Sequence, residues 1–257
     1  MTPALVSIIA FGGMFGGALA AMFIAKRLSA HHVSSSTQDT VKLGVGMVAA
    51  MTSLILGLMT ASVKGNFDTT DRDVHTYALN VLSLEADLRH AGKDACPAQD
   101  LLADYTRAIL AENWKDAPNL PKRRVETSSS DLLLDLDTFV RTWAPTTTVQ
   151  QEVRSVALTD LRAILTTRWT VSEEAAASVP TIFVVVLIVW LALIFISFGL
   201  FAPPNGVVVA CFLLCALSIG GALFLILEMS GPFDGFISIS PQPLVRAIEF
   251  IEAHDCR

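Results

Sequence analysis

Four stretches of this chain are too long and too apolar to be anything but helices in lipid. Residues Pro3 to about Ala25 carry no charge and end on Lys26-Arg27. A second block, about Leu43 to Val63, is bracketed by Lys42 and Lys64. A third runs from about Val179 to Phe201 and a fourth from about Val207 to Leu227, stopping at Glu228. At about 1.5 Å per residue each is long enough for a hydrocarbon core of roughly 30 Å. Lipid offers backbone groups no hydrogen bonds, so a span must be a helix or part of a closed barrel, and runs of this length are helices. The first block lacks the positive leader and short apolar core of a signal peptide, so it is read as a retained span.

Composition agrees. Of 257 residues, 53% are hydrophobic and 16% charged, against roughly 25% charged in ordinary soluble domains. The mean hydropathy is +0.56. The net charge of -6 gives no basic footprint for nucleic acid. The expected architecture is an all-α integral membrane protein with four transmembrane helices and a helical soluble domain inserted between the second and third. Its parts are residues 1–63 (spans one and two), 64–177 (soluble domain), 178–228 (spans three and four) and 229–257 (a tail with a short amphipathic helix).

The 64–177 insert reads as helix. Val74, Leu79, Leu82, Ala86 and Leu88 recur at helical spacing until Gly92, a C-terminal stop. With only Gly65 between them, this helix and the second span can be continuous. Pro97 opens a helix running from Ala98 to about Trp114. Residues 115–127 form a loop, and Ser128-Ser129-Ser130 caps a helix from Asp131 to about Trp143. A last helix, about Thr148 to Ala177, returns to the membrane. Pro241 to Ala253 forms an amphipathic helix with Leu244, Val245, Ile248, Phe250 and Ile251 on one side, suited to docking on the insert or the bilayer surface.

No HExxH, GxSxG, P-loop or GxGxxG motif is present, so the chain is not read as an enzyme, and no cofactor or metal is expected. His31 and His32 lie in the polar loop between the first two spans and are read as solvated; His75, His90 and His254 are isolated. Cys211 and Cys215 fall in an apolar run as small packing residues. Cys96 and Cys256 lie on one side of the membrane, where a bond between them requires an oxidising compartment. Gly12, Gly13, Gly16 and Gly17 form two overlapping GxxxG pairs, which favour close helix contact.

Three features could serve transport. In the second span Thr52, Leu56, Met59, Thr60, Val63 and Phe67 share one helical stripe. Hydroxyl and apolar rings of this kind line pores, and the same residues also serve helix packing within one protomer. Asp68, Asp71 and Asp73 follow. Repeated around an axis they would gather cations; otherwise they form a solvated helix segment. Glu228, Pro232, Phe233 and Asp234 end the fourth span at the membrane edge, either as an ion or lipid contact on a broken helix end or as a structural turn.

Two stretches carry a family resemblance: "WLALIFISFGLFAPPNGVVV" at 190–209 and "LFLILEMSGPFDGFISISPQPL" at 223–244. They resemble the bacterial bestrophin-like family, as does the order of two spans, a helical insert, two spans and a tail. The resemblance implies a multi-pass protein of the bacterial inner membrane. It also implies a homo-oligomer, a pentamer, whose second span lines an ion pore, with the insert and both termini cytoplasmic. The expected partners are the lipid bilayer, further copies of the chain, and ions. Charge alone does not choose the orientation. The alternative function is a non-conducting membrane scaffold or sensor whose insert binds a protein partner.

Overall fold

The computed structural model describes residues 2–27, 35–114, 127–176, 179–254 and 256. Among them the secondary structure is helical, with no strand. Eight α-helices follow in order: α1 (Pro3–Ala25), α2 (Ser35–His90), α3 (Cys96–Asn113), α4 (Ser129–Thr142), α5 (Thr148–Ala176), α6 (Thr181–Phe201), α7 (Gly206–Met229) and α8 (Gln242–Ala253). Four of these helices are long and apolar enough to cross a membrane. The expected loop 115–127 and both loop histidines, His31 and His32, fall almost wholly outside the described residues; Thr127 alone is described.

The chain folds as two compact units. The first comprises residues 1–66 and 178–231, the second 67–177 and 232–257. In the first, α1 packs against α6 and α7 around Ala10, Met14, Ala18, Leu191, Phe195, Ala216 and Leu223. Small residues set the spacing. A Cβ on Gly199 would collide with the Ala18 carbonyl oxygen, and one on Gly17 would lie 2.9 Å from Ile196. Gly12, Gly13 and Gly16 face open space instead, so of the two GxxxG pairs only Gly17 serves packing within the chain. Asn205 caps α7 by accepting from the Val208 amide at 2.8 Å. Cys211 and Cys215 depart from their expected packing role: both are exposed on α7.

α2 is one helix of 56 residues. It begins at Ser35, within the stretch read as a loop, because residues 35–42 contain neither Gly nor Pro to stop it. Its end matches the sequence: Gly92 takes a positive φ of 77°, which glycine adopts at little cost, and opens a single 3₁₀ turn, Gly92–Ala95.

In the second unit α3, α4, α5 and α8 enclose a core that includes Leu84, Leu88, Leu102, Leu136, Leu161, Ile164 and Ile248. Ser128 accepts from the Asp131 amide at the start of α4. The other end of α4 is capped by Arg154, whose guanidinium donates to the Val140 and Arg141 carbonyls. Two long-range links hold α8. Arg107 donates to Glu252 at 2.7 and 3.0 Å, and Cys96 is disulfide-bonded to Cys256. The hydroxyls of Tyr77 and Tyr105 hydrogen-bond to each other inside this core. Burial, foremost, pushes the Tyr105 hydroxyl up to about 12, and Tyr77 also lies well above the usual range.

Gly199→Ala will force α1 and α6 apart and lower thermal stability in detergent by about 1–3 kcal/mol. Tyr105→Phe will strand the Tyr77 hydroxyl and cost about 1–3 kcal/mol. The double variant Tyr77→Phe/Tyr105→Phe removes both partners and should be closer to wild type than either single change.

Candidate functional site

α2 stands apart from the other spans in how little of it its own chain covers. In its most apolar 18 residues 6% are buried, against 28% in α1 and 22% in α7. At about 100° per residue the helix presents three faces. One carries the stripe singled out in the sequence, and it turns largely toward the chain itself. Thr52 is 3% exposed and Val63 6%; Leu56 packs on the core of the first unit and Met59 is half-buried. Phe67 packs on the core of the second unit. Of the six, only Thr60 is exposed. The hydroxyls of Thr52 and Thr60 each donate to a carbonyl one turn back, at 2.7 Å.

The opposite face is an exposed row of large side chains, Leu43, Met47, Met51, Leu54 and Leu58. Between the two lies a third face of small and polar residues: Gly46, Ala50, Ser53, Gly57 and Thr60, all exposed. The sequence stripe missed this face because its residues are short; the signal that marks it is the seven- and four-residue spacing of Gly46, Ser53 and Gly57.

The three aspartates separate. Asp68 and Asp71 continue the helical register of the small-residue face, Asp68 exposed and Asp71 half-buried. Asp73 instead faces Glu174 of α5 and hydrogen-bonds to it. Fourteen residues along each helix, Asp87 and Asp160 form a second carboxyl pair. Asp160 Oδ2 and Glu174 Oε2 are buried without a donor. A proton held on one member of such a pair would supply the donor. Burial, more than the facing Asp160, raises Asp87, while His90 opposes the shift. Burial also leads for Glu174, with Asp73 adding to it and Thr70 and Arg72 opposing. A third raised carboxyl, Glu85, is fully buried and bonded to Arg89 at 2.9 Å. Sequence reading gave neither carboxyl–carboxyl pair, because each joins residues far apart in the chain.

After α7 the membrane-edge residues divide between the units. Glu228 is buried within the last turn of α7. In the second unit the Pro232 carbonyl accepts from the Ile239 amide at 2.8 Å. Phe233 stacks edge-on against Trp114 at 4.8 Å, and the Trp114 indole donates to the Ile239 carbonyl at 2.7 Å. Asp234 is exposed and Gly235 takes a φ of 95°. Pro232 and Phe233 therefore belong to an ordered turn. No cluster of three or more His, Cys, Asp or Glu residues placed to hold a metal occurs among the described residues.

Carboxyls raised in the folded chain hold protons more tightly folded than unfolded. Their contribution is full below the ordinary values of 3.8 for Asp87 and 4.5 for Glu85 and Glu174. It is lost as pH rises through the raised values. The second unit should thus lose stability from this source as pH rises above about 4. Asp87→Asn, whose amide can donate to Asp160, should flatten that slope and stabilise the chain at neutral pH by about 1 kcal/mol. Melting curves of both forms across that range check it.

Comparison with known proteins fits this architecture. The chain superposes on crystal structures of a bacterial bestrophin homologue from Klebsiella pneumoniae. One variant gives a TM-score of 0.66 at 14% identity, covering 96% of this chain and 94% of that one. A second gives 0.64 at 15% identity, covering 96% of each. A structure phased on zinc gives 0.62 at 15% identity, covering 93% and 94%. At such identities the likeness is one of fold. No curated protein sequence matches. The model of the bestrophin-like domain matches residues 12–244, and with nine-tenths of its length so matched the chain belongs to the bestrophin-like family.

Proposed function

We propose that this chain is the subunit of a homo-oligomeric ion channel, a pentamer in a bacterial inner membrane, with α2 lining the conducting path. The observation that carries the reading is the coverage of α2, whose apolar window is only 6% buried. A span so little covered has its other faces against lipid, neighbouring copies or a pore. The face of large side chains, Leu43 to Leu58, suits a neighbour or lipid. The small face with Ser53, Gly57 and Thr60 suits a path wide enough for an ion and its water. Of the six stripe residues, Thr60 is the one we assign to the path; Thr52, Leu56, Met59, Val63 and Phe67 support the helix from behind.

Residues 64–177 form the aqueous insert of this reading. Asp68 and Asp71, two to three turns beyond Thr60, would form carboxylate rings at the mouth and favour cations. Glu228, Pro232, Phe233 and Asp234 redirect the chain after the fourth span. The resemblance puts the insert and both termini on the cytoplasmic side, whereas the chain's own cysteines favour the other.

Reconstitution in liposomes with separate cation and anion gradients tests the proposal. The expected reversal potential follows the cation gradient. Asp68→Asn/Asp71→Asn should reduce that preference several-fold, and Thr60→Leu should reduce conductance without altering assembly. Absence of flux from an intact ring, or a ring with α2 on its periphery, would favour a scaffold that binds a protein partner through the insert.

A further inference from the structure

The bond between Cys96 and Cys256 bears on which side of the membrane the second unit lies. The two residues are 160 positions apart, one opening α3 and the other following α8. Other contacts hold the same two helices together. α8 is seated by buried Leu244, Val245, Ala247, Ile248 and Ile251, and Arg107 of α3 grips Glu252. With Cα atoms 5.6 Å apart, the pair sits at ordinary disulfide separation. The other two cysteines, Cys211 and Cys215, are unpaired and lie within α7. Every cysteine outside the spans is therefore consumed in the bond. That is the pattern of a chain matured where thiols are oxidised, since cytosolic reductants keep such pairs open.

Loop charge is compatible with the same side. Lys26, Arg27 and Lys42 flank the short connection between the first two spans, with Asp39 its one acid. Short basic loops are the segments held in the cytoplasm, whereas long inserts cross largely regardless of charge. Four spans place the 26–42 connection and residues 64–177 on opposite sides.

We infer that residues 64–177 and the tail after α7 lie on the extracytoplasmic side, where Cys96 and Cys256 are joined as a structural disulfide. The inference rests on the four-span reading and not on conduction. Formation needs an oxidant, here a protein dithiol–disulfide donor. The thiolate of one cysteine attacks the donor disulfide, giving a mixed disulfide and releasing one donor thiol. The second cysteine's thiolate then attacks the first cysteine's Sγ, forming the Cys96–Cys256 bond and releasing the donor's other thiol. Two electrons pass to the donor, which leaves as a dithiol carrying the two protons that the cysteines gave up.

The test uses the full chain in its own membrane. Free thiols are blocked in intact cells with a permeable maleimide, the protein is denatured and reduced, and newly exposed thiols are counted by mass-tagged maleimide. Two tags on wild type and none on Cys96→Ser/Cys256→Ser are expected; no tags on wild type overturns the proposal. Because the serine variants could misfold, the side is read independently on the wild-type sequence. Alkaline phosphatase fused after Arg257 should be active and a fluorescent protein fused there dark. The reverse pattern places the tail in the cytoplasm and overturns the inference, while leaving the channel reading intact.

Discussion

Hydrocarbon offers nothing to hydrogen-bond, and this constraint shapes the chain before any side chain is considered. Each span must close its own backbone ladder, so four long helices are fixed at once. What remains is how their surfaces are covered. Three of the spans cover about a quarter of their apolar windows within the chain, with α1 drawn against α6 until the Gly199 backbone meets the Ala18 carbonyl. α2 covers far less of its own. Its exposed rows of Leu and Met on one side, and of Gly, Ser and Thr on another, leave surface for other molecules to cover, and the functional reading follows from that.

The second unit is held differently. Its helices are short of apolar surface compared with the spans, and polar links fix their ends: Ser128 and Arg154 on α4, Arg107 and the disulfide on α8, Trp114 on the turn after α7. Carboxyls are drawn into the contact between α2 and α5 at two points, Asp73 with Glu174 and Asp87 with Asp160. In each pair one carboxyl is raised, by burial first and by its facing carboxyl second, so the packing of these helices is coupled to pH.

Most of the helix ends could be read from the sequence because their causes are local. Gly92 stops α2 through its own φ, Pro97 starts α3, and Ser128 caps α4. The start of α2 was less legible: Ser35, Ser36, Thr37 and Asp39 all suit a helix start and none stands out, and polar composition suggested a loop. The stripe on α2 was found by its spacing, yet spacing cannot say which side of a helix its own chain covers. That depends on α1, α6 and α7, and it turned Thr52 and Val63 inward while leaving Ser53 and Gly57 out. The Tyr77–Tyr105 bond and the carboxyl pairs are long-range meetings with no local signature, whereas Cys96 and Cys256 stood out as the two cysteines outside the spans.

The tyrosine pair gives the chain an internal optical reporter. The chain has two tyrosines, and both are committed to one buried hydroxyl contact. In moderately alkaline solution neither ring should ionise while the second unit is closed, since Tyr105 holds its proton to about 12 and Tyr77 lies well above its ordinary value. An exposed tyrosine ionises near 10. Tyrosinate absorbance would therefore appear as this core opens, and it would do so without a label and without interference from the spans, which contain no tyrosine.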